Sequence, residues 1–123
     1  MPLPVVLALL AAVPAQAVPP PPPPARADHL SLSVADVDAS TAWYQRIFGL
    51  AELPAPVKGP RWLDLGGGVA LHLSPGRTAP VSPDRRNHLA LRVSDFAAFV
   101  QRLEREGVAF TDFEGRPATV QRV

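Results

Sequence analysis

Three histidines are the residues of this 123-residue chain best suited to chemistry: His29, His72 and His88. The chain contains no cysteine, which excludes thiolate nucleophiles, disulfides and cysteine-ligated zinc or iron–sulfur centres. Metal ligands would therefore come from His, Asp and Glu. Imidazole suits zinc, nickel, iron or copper, and manganese when carboxylate or water is added. The histidines thus raise the hypothesis of a divalent metal site, against the alternative that each is an ordinary surface side chain.

Two of these histidines occupy equivalent positions in an internal repeat. The segment HLSLSVAD begins at His29, and HLALRVSD begins at His88, 59 residues later. A helical pattern follows each copy, and each helical pattern leads to a Gly-x-Ala sequence at Gly49 and Gly107. Self-similarity at a fixed period indicates a repeated supersecondary unit. We therefore expect two copies of one unit.

The first unit has the pattern of a strand, a helix and three further strands. Alternating apolar residues after His29 predict a half-buried strand. Asp36 and Asp38 are candidate N-caps of a helix that ends at Gly49. Strands are predicted at 50–53, 62–65 and 69–73, and the last two are joined by a hairpin turn at 66–68. The predicted order is β-α-β-β-β.

The second unit repeats the first strand at 89–93 and its helix. Strands are then predicted from Val108 and at 118–123. By the repeat offset this unit would need to extend to about position 133, so we predict that it lacks its last strand. The helix is predicted from apolar residues at helical spacing, ending at Gly107: Phe96, Phe99, Val100 and Leu103.

Each histidine shares its predicted strand face with small or polar residues, whereas the opposite faces are aliphatic. We therefore expect the three rings to face a cavity or solvent. Arg92 shares a face with His88 and is a candidate for binding a substrate carboxylate or other anion through paired hydrogen bonds. The alternative is a solvated Arg92. The neighbours in question are Ser31 and Ser33 for His29, Ala70 and Ser74 for His72, and Ala90 and Arg92 for His88.

The N-terminal segment differs from the rest of the chain. Nine of the 16 prolines fall within the first 24 residues. The apolar stretch 5–13, followed by Ala15-Gln16-Ala17, predicts a signal peptide over 1–17 and a periplasmic or secreted protein. The alternative is a mis-assigned start or a disordered tail. Residues 18–27 then form a proline-rich spacer, and 28–123 form the domain.

Charge and length exclude two classes of partner. The chain carries 12 Lys and Arg against 11 Asp and Glu, a formal net charge of +1. This balance provides no basic field for nucleic acid. The apolar stretch 5–13 is much shorter than the roughly 20 residues that cross a bilayer, so no membrane span is expected.

The chain resembles the glyoxalase/bleomycin-resistance/dioxygenase superfamily, also called the vicinal oxygen chelate superfamily. The doubled HLxLxVxD strand, the WYQRIFGL segment and the RWLDLGGGVALHL hairpin carry the resemblance. It implies an α+β fold in which two tandem βαβββ modules form a cup-shaped mixed sheet that holds a divalent metal. The implied ligands are His29, His72 and His88. A further ligand, commonly a Glu of the last strand, has no counterpart, because no acidic residue follows Glu114.

The function implied by the resemblance is that of a metal-dependent lyase of the lactoylglutathione-lyase type, an isomerase or a dioxygenase. Such a protein acts on a small oxygenated molecule through bidentate oxygen chelation, with zinc, nickel, iron or manganese. The Glu also serves as the base in the isomerase branch, so its absence leaves enzymatic activity open and the catalytic residues unassigned. The alternatives are a non-catalytic module that sequesters a ligand and an inactive truncated copy. A homodimer is expected by analogy.

Overall fold

The computed structural model describes residues 20–117 and has α+β architecture, as predicted. The first unit follows the predicted β-α-β-β-β order. A second helix follows a long segment without regular structure. The elements are β1 His29–Ser33, α1 Val37–Phe48, β2 Glu52–Leu53, β3 Arg61–Asp64, β4 Ala70–Ser74 and α2 Phe96–Arg105.

Helix α1 begins and ends at the residues that its sequence predicts. The Asp36 carboxylate accepts a hydrogen bond from the backbone N–H of Ala39, 2.9 Å away, which satisfies one of the free N–H groups of the first turn. Gly49 ends the helix with a φ of 68°, a left-handed conformation that glycine adopts without a steric penalty. Asp38, the other candidate cap, lies inside the helix and pairs with Arg61.

The four strands form one mixed sheet in the order β1-β4-β3-β2. Strands β1 and β4 are parallel, and the other neighbouring pairs are antiparallel. The predicted hairpin joins β3 to β4 through Gly66–Gly68. These three glycines have φ values of 83°, 62° and 79°, a run of left-handed conformations that favours glycine at each position. The turn thereby brings the two strands into register.

The sheet has one apolar face and one polar face. Leu63, Leu71 and Leu73 are fully buried on the apolar face, and α1 packs against the same strands. Along β1, half-buried residues alternate with exposed ones, as the period of two predicts. The histidines of β1 and β4 lie on the other face. The helix side therefore holds the core, and the opposite side is left free for chemistry.

One arginine ties the edge strand of the sheet to the helix. The guanidinium of Arg61 donates to both carboxylate oxygens of Glu52 on β2 and to Asp38 on α1, the latter at 2.5 Å. This charge-assisted pairing lowers the pKa of Glu52. Because β2 has two residues, the ion pair supplements a very short backbone ladder.

The second unit contributes its predicted helix. Asp95 caps α2 as Asp36 caps α1, through the backbone N–H of Ala98. The rings of Phe48 on α1 and Phe99 on α2 lie 5.4 Å apart between centroids and join the two helices. The predicted strand at 89–93 is not a strand here, and its backbone makes no hydrogen bond within residues 20–117.

The remaining expectations about the second unit fall near the end of the described chain. An isolated antiparallel bridge joins Thr111 to Pro117, close to the strand predicted from Val108. The strand predicted at 118–123 lies outside the described residues. Leu89 still packs against the aliphatic cluster of the first unit. The second unit is therefore attached to the first through apolar side chains in addition to the helix contact.

The structure describes the N-terminal segment only from residue 20 onward. The predicted signal peptide, residues 1–17, lies outside the described residues. Residues 20–27 of the predicted spacer are exposed and contain no helix or strand. Neither α1 nor α2, the helices of residues 20–117, is long and apolar enough to cross a membrane.

Candidate functional site

Three aromatic rings form a continuous stack on the polar face of the sheet. The ring of His72 on β4 lies between the indole of Trp62 on β3 and the ring of His29 on β1. The centroid of His72 is 4.0 Å from that of Trp62, with the planes 5° apart. It is 4.3 Å from that of His29, with the planes 8° apart. The stack thus runs across three neighbouring strands and brings two of the three predicted histidines together.

The strand register explains this arrangement. Trp62 and His72 are direct cross-strand partners in the antiparallel β3–β4 pair. In the parallel β1–β4 pair, Ser31 faces His72 and His29 faces Ala70. Side chains two positions apart point to the same face of a sheet, so His29 lies diagonally beside His72.

Hydrogen bonding fixes which nitrogen of His29 is free. Its Nδ1 lies 2.7 Å from Oδ2 of Asp28. A carboxylate accepts and does not donate, so Nδ1 carries the hydrogen, and in the neutral ring Nε2 keeps the lone pair. A carboxylate that orients a histidine in this way is the usual outer partner of a metal-ligating imidazole. Asp28, which the sequence analysis did not single out, therefore belongs to the candidate site.

The surroundings of His72 favour its neutral form. Desolvation lowers the pKa of His72 below its ordinary value of 6.5, and the positive charge available to His29 lowers it further, whereas Asp28 partly offsets the shift. Neither ring nitrogen of His72 forms a hydrogen bond with another side chain or backbone group of residues 20–117. At neutral pH the ring therefore presents an uncharged nitrogen that can bind a metal or accept a proton.

Two serines extend the polar face beyond the rings. The hydroxyls of Ser31 and Ser74 hydrogen-bond to each other across β1 and β4, at 2.9 Å. Both residues were expected to share a face with the histidines, and they do. They add two groups that can donate to or accept from the oxygens of a ligand.

His88, the third predicted ligand, lies elsewhere in the described chain. Its Nδ1 is 3.1 Å from the backbone carbonyl of Arg85, so this nitrogen donates and Nε2 is the free one in the neutral ring. His88 lines a cavity of about 750 Å³ together with residues 82–87 and Phe113. Neither His29 nor His72 lines that cavity. The structure thus does not bring His88 to the ring stack.

Arg92 also lies apart from the histidines. It lines one cavity with the start of α2 and another with aliphatic residues of the first unit, and no histidine lines either cavity. The shared strand face predicted for Arg92 and His88 requires a strand at 89–93, which does not form. Binding of an anion by Arg92 stays a prediction.

The donor set of the ring stack fits a divalent metal in part. Two imidazoles on neighbouring strands, one oriented by a carboxylate, suit zinc, nickel or iron. In the stacked arrangement the lone pairs lie in nearly parallel planes, so one ring has to rotate before both nitrogens converge on one ion. His29 is half exposed and has room to rotate. Within residues 20–117 no group of three His, Asp or Glu side chains is close enough to form a complete site.

Trp62, like Asp28, belongs to the candidate site but was not predicted from the sequence. A signal for it was present in the hairpin. Trp62 and His72 are each five residues from Gly67, the centre of the predicted turn. A hairpin without a bulge therefore pairs these two residues. Counting outward from the turn would have placed the indole against the imidazole.

Comparison with known proteins decides the family. The family model of the Glyoxalase/Bleomycin resistance protein/Dioxygenase superfamily matches residues 26–123. The chain belongs to this superfamily. Its members bind small-molecule substrates and generally use divalent metals. In this vicinal oxygen chelate protein, the ring stack lies inside the matched segment.

Solved structures show the same fold for the vicinal oxygen chelate domain. A possible glyoxalase from Bacillus cereus is 24% identical, with a TM-score of 0.56 over 67% of this chain and 74% of that one. The second structure is the genomically encoded fosfomycin resistance protein FosX from Listeria monocytogenes, in the monoclinic form at pH 5.75. It is 22% identical, with a TM-score of 0.55 over 74% of this chain and 71% of that one. Its form at pH 6.5 gives 22% identity and a TM-score of 0.52, over 64% and 62%. No curated protein matches the chain.

Proposed function

We propose that this superfamily member binds a small oxygenated molecule on the polar sheet face, with a divalent metal held by His29 and His72. The reaction class is that of a glyoxalase-like lyase or isomerase, or of a dioxygenase, working through bidentate oxygen chelation. The observation that carries the proposal is the His29–His72 pair, with Nδ1 of His29 bonded to Asp28. This contact leaves Nε2 of His29 as the nitrogen that binds.

The residues of the stack have separable roles in this proposal. The metal, when bound, supplies Lewis-acid polarisation of two neighbouring oxygens. Asp28 holds the tautomer of His29. Trp62 covers one face of His72, and burial lowers the pKa of that imidazole, which leaves it neutral and able to bind a metal. The Ser31 and Ser74 hydroxyls bind ligand oxygens at the edge of the stack.

In a three-histidine site, His88 would be the third ligand and would have to come from outside the stack. Either the 82–88 segment moves towards the rings or a second chain contributes its own His88, as the expected homodimer would allow. The metal affinity of His88→Ala shows whether the site has three histidine ligands or two. A loss similar to that of His29→Ala supports a three-histidine site, whereas an unchanged affinity limits the site to the stacked pair.

Metal titration of the purified chain tests the central claim. We expect zinc or nickel to bind with a stoichiometry near one, and the affinity to fall at least tenfold in His29→Ala and in His72→Ala. Trp62→Phe is the matched control, because it keeps an aromatic ring against His72 and removes no ligand nitrogen. Absence of stoichiometric metal, or unchanged affinity in both histidine variants, would sink the metal claim.

The second candidate function is ligand sequestration without metal, as in the bleomycin-resistance branch. The observation in its favour is that the aromatic stack ends at the half-exposed ring of His29, on which a planar ligand can stack. Acetohydroxamic acid, a bidentate oxygen ligand, distinguishes the candidates. Binding that requires zinc and disappears with EDTA supports metal-dependent chelation. Binding that survives EDTA supports sequestration, and a chain that binds neither zinc nor the probe fits an inactive copy.

Export and dimerisation complete the proposal. A signal peptide over 1–17 predicts that the mature chain begins at Val18, which N-terminal sequencing of protein recovered from the periplasm or medium checks. Light scattering on the purified chain checks the homodimer. A mature chain that retains Met1, or a monomer at all concentrations tested, contradicts the corresponding expectation.

A further inference from the structure

One of the two cavities lined by Arg92 lies between the end of α1 and the start of α2. These elements carry none of the stacked rings. The volume of this cavity is about 440 Å³, within the range of small-molecule sites. Its floor is apolar, formed by fully buried Ile47 together with Phe48 and Phe99. The remaining lining residues are polar or small and include three arginines: Arg92, Ser94, Asp95, Ala98, Arg102 and Arg105, with Val93.

In the described part of the chain, the three arginines of this cavity have no partner for their charge. Within residues 20–117, the guanidinium groups of Arg92, Arg102 and Arg105 form no hydrogen bond or ion pair. Most other arginines of the described chain do have a hydrogen-bonded or ion-paired partner: Arg46, Arg61, Arg77, Arg85, Arg86 and Arg116. Free guanidinium groups are thus concentrated around one cavity.

The one acidic residue of the cavity does not neutralise this charge. Asp95 accepts the backbone N–H of Ala98 with its carboxylate and the N–H of Phe99 with its carbonyl, as the N-cap of α2. Three cations therefore face one carboxylate that the helix already uses. Guanidinium groups bind carboxylates and phosphates through paired, charge-assisted hydrogen bonds.

We propose that this cavity binds a small molecule that combines an oxyanion with an aromatic or other apolar group. The arginines bind the carboxylate or phosphate, and the Phe48–Phe99 pair packs against the apolar part. Arg92 then binds an anion as the sequence suggested, but together with α2 and not beside His88. The site is separate from the ring stack and does not depend on the proposed metal.

Isothermal titration of the full chain at low ionic strength tests this site with four probes. We expect phenyl phosphate and benzoate to bind with a stoichiometry near one, and their relative affinity shows which oxyanion the site prefers. Inorganic phosphate lacks the apolar part and should bind at least tenfold more weakly than phenyl phosphate. Benzyl alcohol lacks the charge and should not bind detectably. Equal affinity for phenyl phosphate and inorganic phosphate would refute the amphipathic site.

Matched charge variants locate the binding. Arg102→Ala combined with Arg105→Ala should weaken phenyl phosphate binding at least tenfold, and alanine is a strong helix former, so α2 should persist. The control pair is Arg26→Ala with Lys58→Ala. It removes two cations that lie outside the cavity and form no ion pair within residues 20–117, and it should change the affinity less than twofold. His29→Ala should also change it less than twofold. No binding, or equal losses in both pairs, overturns the proposal.

Discussion

The imidazoles of His29 and His72 are stacked with centroids 4.3 Å apart because β1 and β4 are parallel neighbours in the sheet. The contact joins the first and last strands of the unit, which are separated along the chain by α1 and a hairpin. The charge of His29 therefore affects the pKa of His72.

His29→Ala should raise the pKa of His72. Burial is the larger cause of the lowered pKa, and the nearby charge of His29 is the second. The substitution removes the charge and also uncovers one face of the His72 ring, so both effects act in the same direction. An NMR pH titration of the His72 ring protons measures this. Asp28→Asn is the opposing control, because Asp28 raises the pKa of His72 and its loss should lower that pKa further. A lower pKa in His29→Ala contradicts the coupling.

The same lowered pKa predicts that acid destabilises the fold. Between the lowered pKa of folded His72 and the ordinary value of 6.5, the unfolded chain binds more protons than the folded chain. The contribution of His72 is therefore present above pH 6.5 and is lost as the pH falls through the folded pKa. Urea unfolding at pH 7 and pH 5 should show a smaller decrease for His72→Asn than for the unchanged chain. Equal decreases would assign the acid sensitivity to other groups.

Leu71→Ala should destabilise the chain by about 3 kcal/mol, because it leaves a cavity in the small aliphatic cluster. Leu71 is fully buried next to Leu63 and Leu73, on the strand that also carries His72. Val81→Ala is the control. Val81 is 73% exposed, and its truncation should change the free energy of unfolding by less than about 0.5 kcal/mol. Urea unfolding measures both values, and similar values for the two variants would contradict the placement of the core.

Gly67→Ala should cost about 1 kcal/mol, because Gly67 has a φ of 62° and a β-carbon is strained in that conformation. The space around the position is open, so the cost comes from the backbone. Gly67→Asn is the matched control, because asparagine tolerates the left-handed region better than alanine does. Thermal unfolding should rank Gly67→Asn between the unchanged chain and Gly67→Ala. A Gly67→Ala variant as stable as the unchanged chain would show that the turn adopts another conformation.

The first unit could be predicted from its sequence because its signals are local. Alternation after His29, the cap at Asp36 and the stop at Gly49 each depend on a few neighbouring residues. The segment 89–93 has the same alternation but forms no ladder. A strand also requires a neighbouring strand for its backbone hydrogen bonds, and β4 is this neighbour for β1. The counterpart of β4 at the repeat offset is not among the described residues.

For the candidate site, the sequence predicted only the sheet face on which each histidine lies. The alternation around His29 and His72 placed both rings on the polar side, and the structure confirms this. The repeat equates the sequence positions of His29 and His88, but it does not determine their distance in the fold. Arg92 illustrates the same limit, since its predicted face depended on a strand that did not form. Long-range placement requires the pairing between strands, which a repeated motif does not contain.

The Gly66–Gly68 turn determines more than the direction of the chain. Because Trp62 and His72 are equally distant from Gly67, the length of the turn selects the residue that faces His72. Loss or gain of one turn residue would bring a neighbour of Trp62 to that position, and neighbours in a strand point to the helix side. A variant with one residue inserted or deleted here would keep all three rings in its sequence and lose the contact between Trp62 and His72. Point substitutions are therefore tolerated at this turn more readily than changes of length.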